Sequence, residues 1–162
     1  MDDKITTVLW FDRDGKEAAE FYVSLLPDSH IDQVIKSPAD HPSMPAGGEL
    51  VVDFTLAGRK YSALNGGPTF KPNESVSFMV VTEDQAETDR LWHAIVGHGG
   101  QESACGWCKD KWGFSWQITP RILLELLTDP DPSRSKRGFE AMMTMTRIDI
   151  AAIQAAAGGM PD

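Results

Sequence analysis

The strongest constraint on this chain is an internal repeat. Displaced by 70 positions, Phe11 falls on Val81 and Asp12 on Thr82. Phe21 and Tyr22 then fall on Leu91 and Trp92, and Leu25 and Leu26 on Ile95 and Val96, so strand and helix stripe map without a gap. A second displacement, of 55, brings Gly58 onto Gly113, Tyr61 onto Trp116 and Ser62 onto Gln117. The two displacements differ because the second copy lacks a loop, residues 37–48, with three prolines and a Gly-Gly pair. An apolar register kept over about twenty residues marks a duplicated unit.

Each copy reads as strand–helix–strand–strand–strand. Residues 5–11 are a near-continuous apolar run of β-formers, the pattern of a largely buried strand. Residues 16–26 place Ala18, Phe21, Tyr22, Leu25 and Leu26 on one helical stripe, which Pro27 closes. Residues 31–36 form a short strand, and 49–56 and 60–64 a hairpin about Ala57-Gly58-Arg59. The second copy starts with a strand at 74–81. Thr82 follows as N-cap, with Gln85 in the capping-box position, and the helix ends at Gly97.

Its hairpin is the stretch CGWCKDKWGFSWQITP, residues 105–120, which holds three of the five tryptophans. Gly113 separates two arms. On the second arm Ser115, Gln117 and Thr119 share one face, and Phe114, Trp116 and Ile118 the other. An amide in mid-strand amid aromatic bulk suits a pocket lining or a solvated strand face. After Pro120 the composition turns helical: 121–127, a linker Asp129-Pro130-Asp131-Pro132, then 133–144 and 146–157, with Asp149 at a capping position. The organisation is one domain over 1–162, with modules at 5–66 and 74–120 and a helical tail at 121–157.

Charge and chemistry narrow the partners. A net charge of -9 with no Lys/Arg run argues against nucleic acid and anionic lipid. The start MDDKITTVLWFDRD has no basic segment followed by a long apolar one, and no apolar stretch nears membrane-spanning length. The expectation is a cytoplasmic protein with no membrane partner. Cys105 and Cys108 supply two of the four ligands of a structural zinc, and no helix N-terminus follows to lower a thiol pKa, so they read as small buried hydrophobes. His30, His41, His93 and His98 have no Glu or second His at ligand spacing.

The segments LWFDRDGKEAAEFYVSLLPDS, ALNGGPTFKPNESVSFMV and CGWCKDKWGFSWQITP, with a tail containing MTRIDIAAIQAA, resemble the PhnB-like branch of the vicinal oxygen chelate superfamily. That superfamily includes glyoxalase I, bleomycin-resistance proteins and extradiol dioxygenases, and members of this branch are often labelled demethylubiquinone methyltransferase. The resemblance implies an α+β fold: two βαβββ modules forming curled mixed sheets around a cavity, plus C-terminal helices. It also implies a homodimer.

In metal-using relatives, His, Glu or Gln ligands come from mid-strand positions that face the cavity. Carried over, these positions fall on Thr7, Ser62, Ser77 and Gln117, with Thr6 or Ser75 standing in for the first and third if the register slips by one. Hydroxyls are poor ligands for Zn²⁺ or Ni²⁺, so no metal and no cofactor is expected. Trp107, Trp116 and Phe70 are the candidate aromatic walls, although strand parity can instead turn Trp116 toward the helices. The methyltransferase label meets an obstacle: the strand-to-helix turns DRDGKE and TEDQAE are acidic and lack a Gly-rich nucleotide pattern. Two readings follow, a metal-free small-molecule-binding protein and a metal-assisted lyase, isomerase or dioxygenase-type enzyme.

Overall fold

The structure is a computed structural model that describes residues 4–158. The chain divides into two compact units between Pro72 and Asn73. The first unit runs β1 (Thr7–Phe11), α1 (Gly15–Leu25), β2 (His30–Lys36), β3 (Glu49–Leu56) and β4 (Arg59–Asn65). Its sheet has the order β1-β4-β3-β2; β1 and β4 are parallel and the other neighbours antiparallel. The second unit repeats this with β5 (Ser77–Thr82), α2 (Gln85–Gly97), β6 (Gln101–Glu102), β7 (Trp107–Lys109) and β8 (Ser115–Pro120), in the order β5-β8-β7-β6. Three helices follow: α3 (Arg121–Leu127), α4 (Pro132–Met142) and α5 (Ile150–Ala157). The fold is α+β, with two βαβββ modules and mixed, open four-stranded sheets.

Each sheet buries one face against its own helix. In the first unit the alternating side chains Leu9 and Phe11 (β1), Val52 and Phe54 (β3) and Ala63 (β4) are buried with Ala18, Ala19, Tyr22 and Leu25 of α1. Asn65 sets how closely helix and sheet meet. Its Oδ1 accepts from Gly15 N (2.9 Å) while its Nδ2 donates to Glu49 O (2.8 Å). A Cβ on Gly15 would lie 2.8 Å from that Oδ1, so a larger residue there would have to displace the Asn65 side chain. The helix ends where Leu26 is extended (φ -130, ψ 147), as the residue before Pro27 tends to be. In the second unit Leu91, Trp92 and Ile95 of α2 pack with Cys108, Trp116 and Ile118.

The structure corrects three details of the sequence reading. Ile5 is 87% exposed, and β1 starts at Thr7. The cap of α2 is Asp84, whose side chain accepts from Glu87 N (2.8 Å), while Glu83 N donates to Glu87 Oε2 (2.8 Å). Thr82 is instead wholly buried, its hydroxyl 2.6 Å from that of Thr88. The repeat also has a one-residue gap. The helices correspond at 70, Tyr22 with Trp92 and Leu25 with Ile95, all buried. Val8 pairs with Ser62 and Met79 with Gln117, so the strands correspond at 71. The turn from Phe11 to Gly15 is one residue longer than the turn from Thr82 to Gln85. Helical periodicity tolerates that shift; strand parity does not.

The tail closes over the second unit. Leu123, Leu126, Ile148, Ile153 and Ala157 form a buried cluster. Cys105 N and Gly106 N donate to Met145 O and Thr146 O (both 2.7 Å), tying the start of the hairpin to the segment before α5. Gln85 joins α2 to α5 by donating to Ile148 O (3.0 Å) and accepting from Ile150 N (2.9 Å). Arg137 donates to Ala156 O and Ala157 O, so a cation caps the negative end of α5.

Candidate functional site

With one face of each sheet covered by its helix, the opposite faces are where a ligand can be met. In the second unit the buried carboxylate of Asp110 shapes the hairpin. Oδ1 accepts from Trp112 N and Phe114 N (3.0 Å each), and Oδ2 from Trp116 Nε1 (2.9 Å). Gly113 takes the positive φ of 95° that the turn requires. These bonds hold Trp116 on the helix side against Phe78, ring centroids 4.5 Å apart. By alternation, Ser115 and Gln117 point the other way.

Two rows of side chains cross that open face. Ser77 on β5 is level with Ser115 on β8, which is level with Lys109 on β7. Two residues along, Met79, Gln117 and Trp107 form the next row. Gln117 Nε2 donates to Ser77 Oγ at 2.8 Å. Lys109 pairs with Glu74, whose carboxyl that bond holds below its ordinary range. Ser115 is 1% exposed, and its Oγ has no hydrogen-bond partner among the described residues.

The open face of the first unit carries charge. Asp53 accepts from Gln33 Nε2 (2.6 Å) and Ser62 Oγ (2.5 Å). Lys60 Nζ donates to Asp32 Oδ1 and Thr55 Oγ1 (both 2.8 Å), and Thr55 donates to Asp32 Oδ2 (2.9 Å). The Lys60 bond, followed by that of Thr55, holds the Asp32 carboxyl below its ordinary range against the opposing effect of burial. Asp32, Gln33, Asp53, Lys60 and Ser62, with Thr6 and Tyr61, line a cleft of about 330 Å³.

The sequence-derived set distributes as follows. Ser62 lies on the first unit's open face, and Ser77 and Gln117 meet on the second's. Thr7 is level with Tyr61 and shares parity with Leu9 and Phe11, the α1 side; its neighbour Thr6 lines the cleft. Trp107 is half-buried in the Gln117 row, whereas Trp116 is buried on the helix side. Phe70 is 63% exposed and packs edge-on to Trp10 at 5.0 Å. Burial pushes the Cys108 thiol up to about 12, helped by Asp110 and Glu102, so it is no thiolate nucleophile.

Sequence reasoning missed Asp32, Asp53 and Lys60, charged residues on strands whose polar positions read as an ordinary solvated face. It also left Ser115 without a role. At the displacement of 55 Ser115 falls on Lys60, so the repeat itself was the signal. Among the described residues, no group of three or more His, Cys, Asp or Glu side chains converges as a metal-binding cluster. No helix among them is long and apolar enough to cross a membrane.

A sequence model of the family described as 3-demethylubiquinone-9 3-methyltransferase matches residues 3–119. Among solved structures, the chain is similar to a PhnB protein from Bacillus cereus, with 28% identity and a TM-score of 0.64 over 73% of this chain and 99% of that one. It is also similar to protein PA1353 from Pseudomonas aeruginosa, with 17% identity and a TM-score of 0.59 over 74% and 98% of the two chains. A glyoxalase-related enzyme from Fulvimarina pelagi aligns at 13% identity and a TM-score of 0.48, over 74% and 90%. A search of curated proteins finds no match.

Proposed function

The chain belongs to the 3-demethylubiquinone-9 3-methyltransferase family, in its PhnB-like form, and from that premise we propose that it is a metal-free protein that binds a small, partly aromatic molecule. The observation that carries this reading is the Gln117–Ser77 hydrogen bond on the open face of the second sheet. Where metal-using relatives of the superfamily would place imidazoles and carboxylates, this chain places an amide and hydroxyls. Those are weak ligands for Zn²⁺ or Ni²⁺ and good hydrogen-bonding groups for a neutral oxygen or nitrogen. Trp107 and Met79 beside them offer apolar area for a ring.

The methyl transfer in the family's description would need a methyl donor, and the strand-to-helix turns do not fit a nucleoside one. Gly15 N is taken by Asn65, and Glu87 N and Glu83 N are engaged by the side chains of Asp84 and Glu87. Three backbone donors at these turns are therefore already used, and the turns are acidic.

A second copy of the chain is part of the proposal. Val8 and Met79 occupy equivalent positions of the two units and are 57% and 53% exposed on the open faces. Burying such paired apolar positions favours a homodimer. Free Cys105 and Cys108 suit a reducing, cytoplasmic setting.

Metal analysis and light scattering of tag-free protein test this reading. It expects dimers at micromolar concentration with far less than one metal ion per chain. Stoichiometric zinc, nickel or iron would replace it with the metal-assisted enzyme reading, and a monomer would remove the second copy.

A further inference from the structure

We infer that Ser77 and Ser115 form a paired-hydroxyl seat for an acceptor oxygen, so that the small molecule bound by this protein is an aromatic carbonyl compound. The inference deepens the proposed function and rests on the binding reading of the same face.

The argument starts from hydroxyl protons. A buried hydroxyl with no acceptor costs free energy that a folded chain normally avoids. Ser115 Oγ is in that position, 1% exposed and without a partner among the described residues. Ser77 stands beside it in register on the adjacent parallel strand. Ser77 Oγ accepts from Gln117 Nε2, which uses a lone pair and leaves its own proton to donate. Two hydroxyl donors therefore stand side by side, and the Gln117 bond fixes the orientation of one of them. An oxygen with two lone pairs, as in a ketone, aldehyde, ester or amide, satisfies both at once.

The surroundings set the rest of the ligand. Met79, Gln117 and Trp107 form the next row, so a ring attached to the carbonyl meets a thioether, an amide edge and an indole. Lys109 completes the serine row, but Glu74 neutralises it, so the seat carries no net charge and favours a neutral carbonyl over a carboxylate. The equivalent position in the first unit shows the contrast. Lys60 stands where Ser115 stands, and its donors are engaged by Asp32 and Thr55.

The test compares acetophenone with ethylbenzene, two molecules of nearly equal shape that differ in the carbonyl oxygen, by Trp fluorescence and NMR titration of the full chain. Wild-type protein is expected to prefer acetophenone by about tenfold, the weight of one or two hydrogen bonds. Ser115→Ala is expected to abolish that preference while leaving ethylbenzene binding unchanged, and Ser77→Ala to reduce it. The Ser115 hydroxyl has no partner among the described residues, so its replacement by alanine does not threaten the fold. Equal binding of the two probes, or a preference that survives Ser115→Ala, overturns the seat but leaves the binding reading standing. Failure of both probes to bind overturns the two together.

Discussion

The open faces of the two sheets descend from one repeated unit and have reached different ends. In the first unit, Asp32, Thr55 and Lys60 bond one another, and Gln33 and Ser62 both donate to Asp53. Each charge there has been given an internal partner. In the second unit the equivalent face is neutral. Lys109 pairs there with Glu74 and Gln117 with Ser77, but the Ser115 hydroxyl has no partner among the described residues. A face whose polar groups satisfy one another has little left to offer a ligand. A face with unmet donors at buried, mid-strand positions is complete only when something binds.

The units also differ in what supports them, and the largest effects are expected in the second. Asp110→Ala removes one carboxylate that serves three donors, leaving two backbone N–H groups and the Trp116 indole to find new partners. At about 1–3 kcal/mol per stranded buried donor, the expected loss is on the order of 4 kcal/mol, measured by denaturant unfolding. A loss below about 1 kcal/mol would show that the hairpin does not depend on it. Next is Ile148→Ala, at the point where the tail meets Gly106. Ile148 is fully buried, so the expected loss is about 3 kcal/mol. A near-neutral result would mean that the tail is dispensable to the hairpin it covers.

These two residues show what the sequence made legible. The strand–helix register, the hairpins and the helical tail follow from periodicity and turn residues, because burial on one side of an element writes itself into spacing. Parity does not survive an uncounted turn residue. Between Phe11 and Gly15 one extra residue moved Thr7 to the α1 side and gave its place to Thr6. Asp110, Asn65 and Gln85 act through bonds to residues 2 to 65 positions away. Such bonds leave no periodic trace. The mid-strand placing of Ser77 and Gln117 was legible from the repeat, but the bond between them appears only once β5 and β8 are laid side by side. The isolation of Ser115 was not, since the lack of a partner appears only once every neighbour is placed.

A smaller effect sharpens the contrast in charge. The Asp32 carboxyl is held below its ordinary 3.8, first by the Lys60 bond, so the stability it contributes is fully present above that value and is lost as pH falls through the lowered one. Asp32→Asn should flatten this acid limb of the stability–pH curve, while Ser115→Ala should leave its shape unchanged. An acid limb identical in wild type and Asp32→Asn would mean that the first face is not held by its ion pair.

The most direct measurement applies one substitution to both faces. Ser62→Ala removes a donor to Asp53 and should lower stability by about 1 kcal/mol; Ser115→Ala removes a hydroxyl without a partner among the described residues and should leave stability unchanged or raise it. Equal losses at the two positions, read from paired denaturant curves of ligand-free protein, would contradict the account that the first face is complete and the second is not.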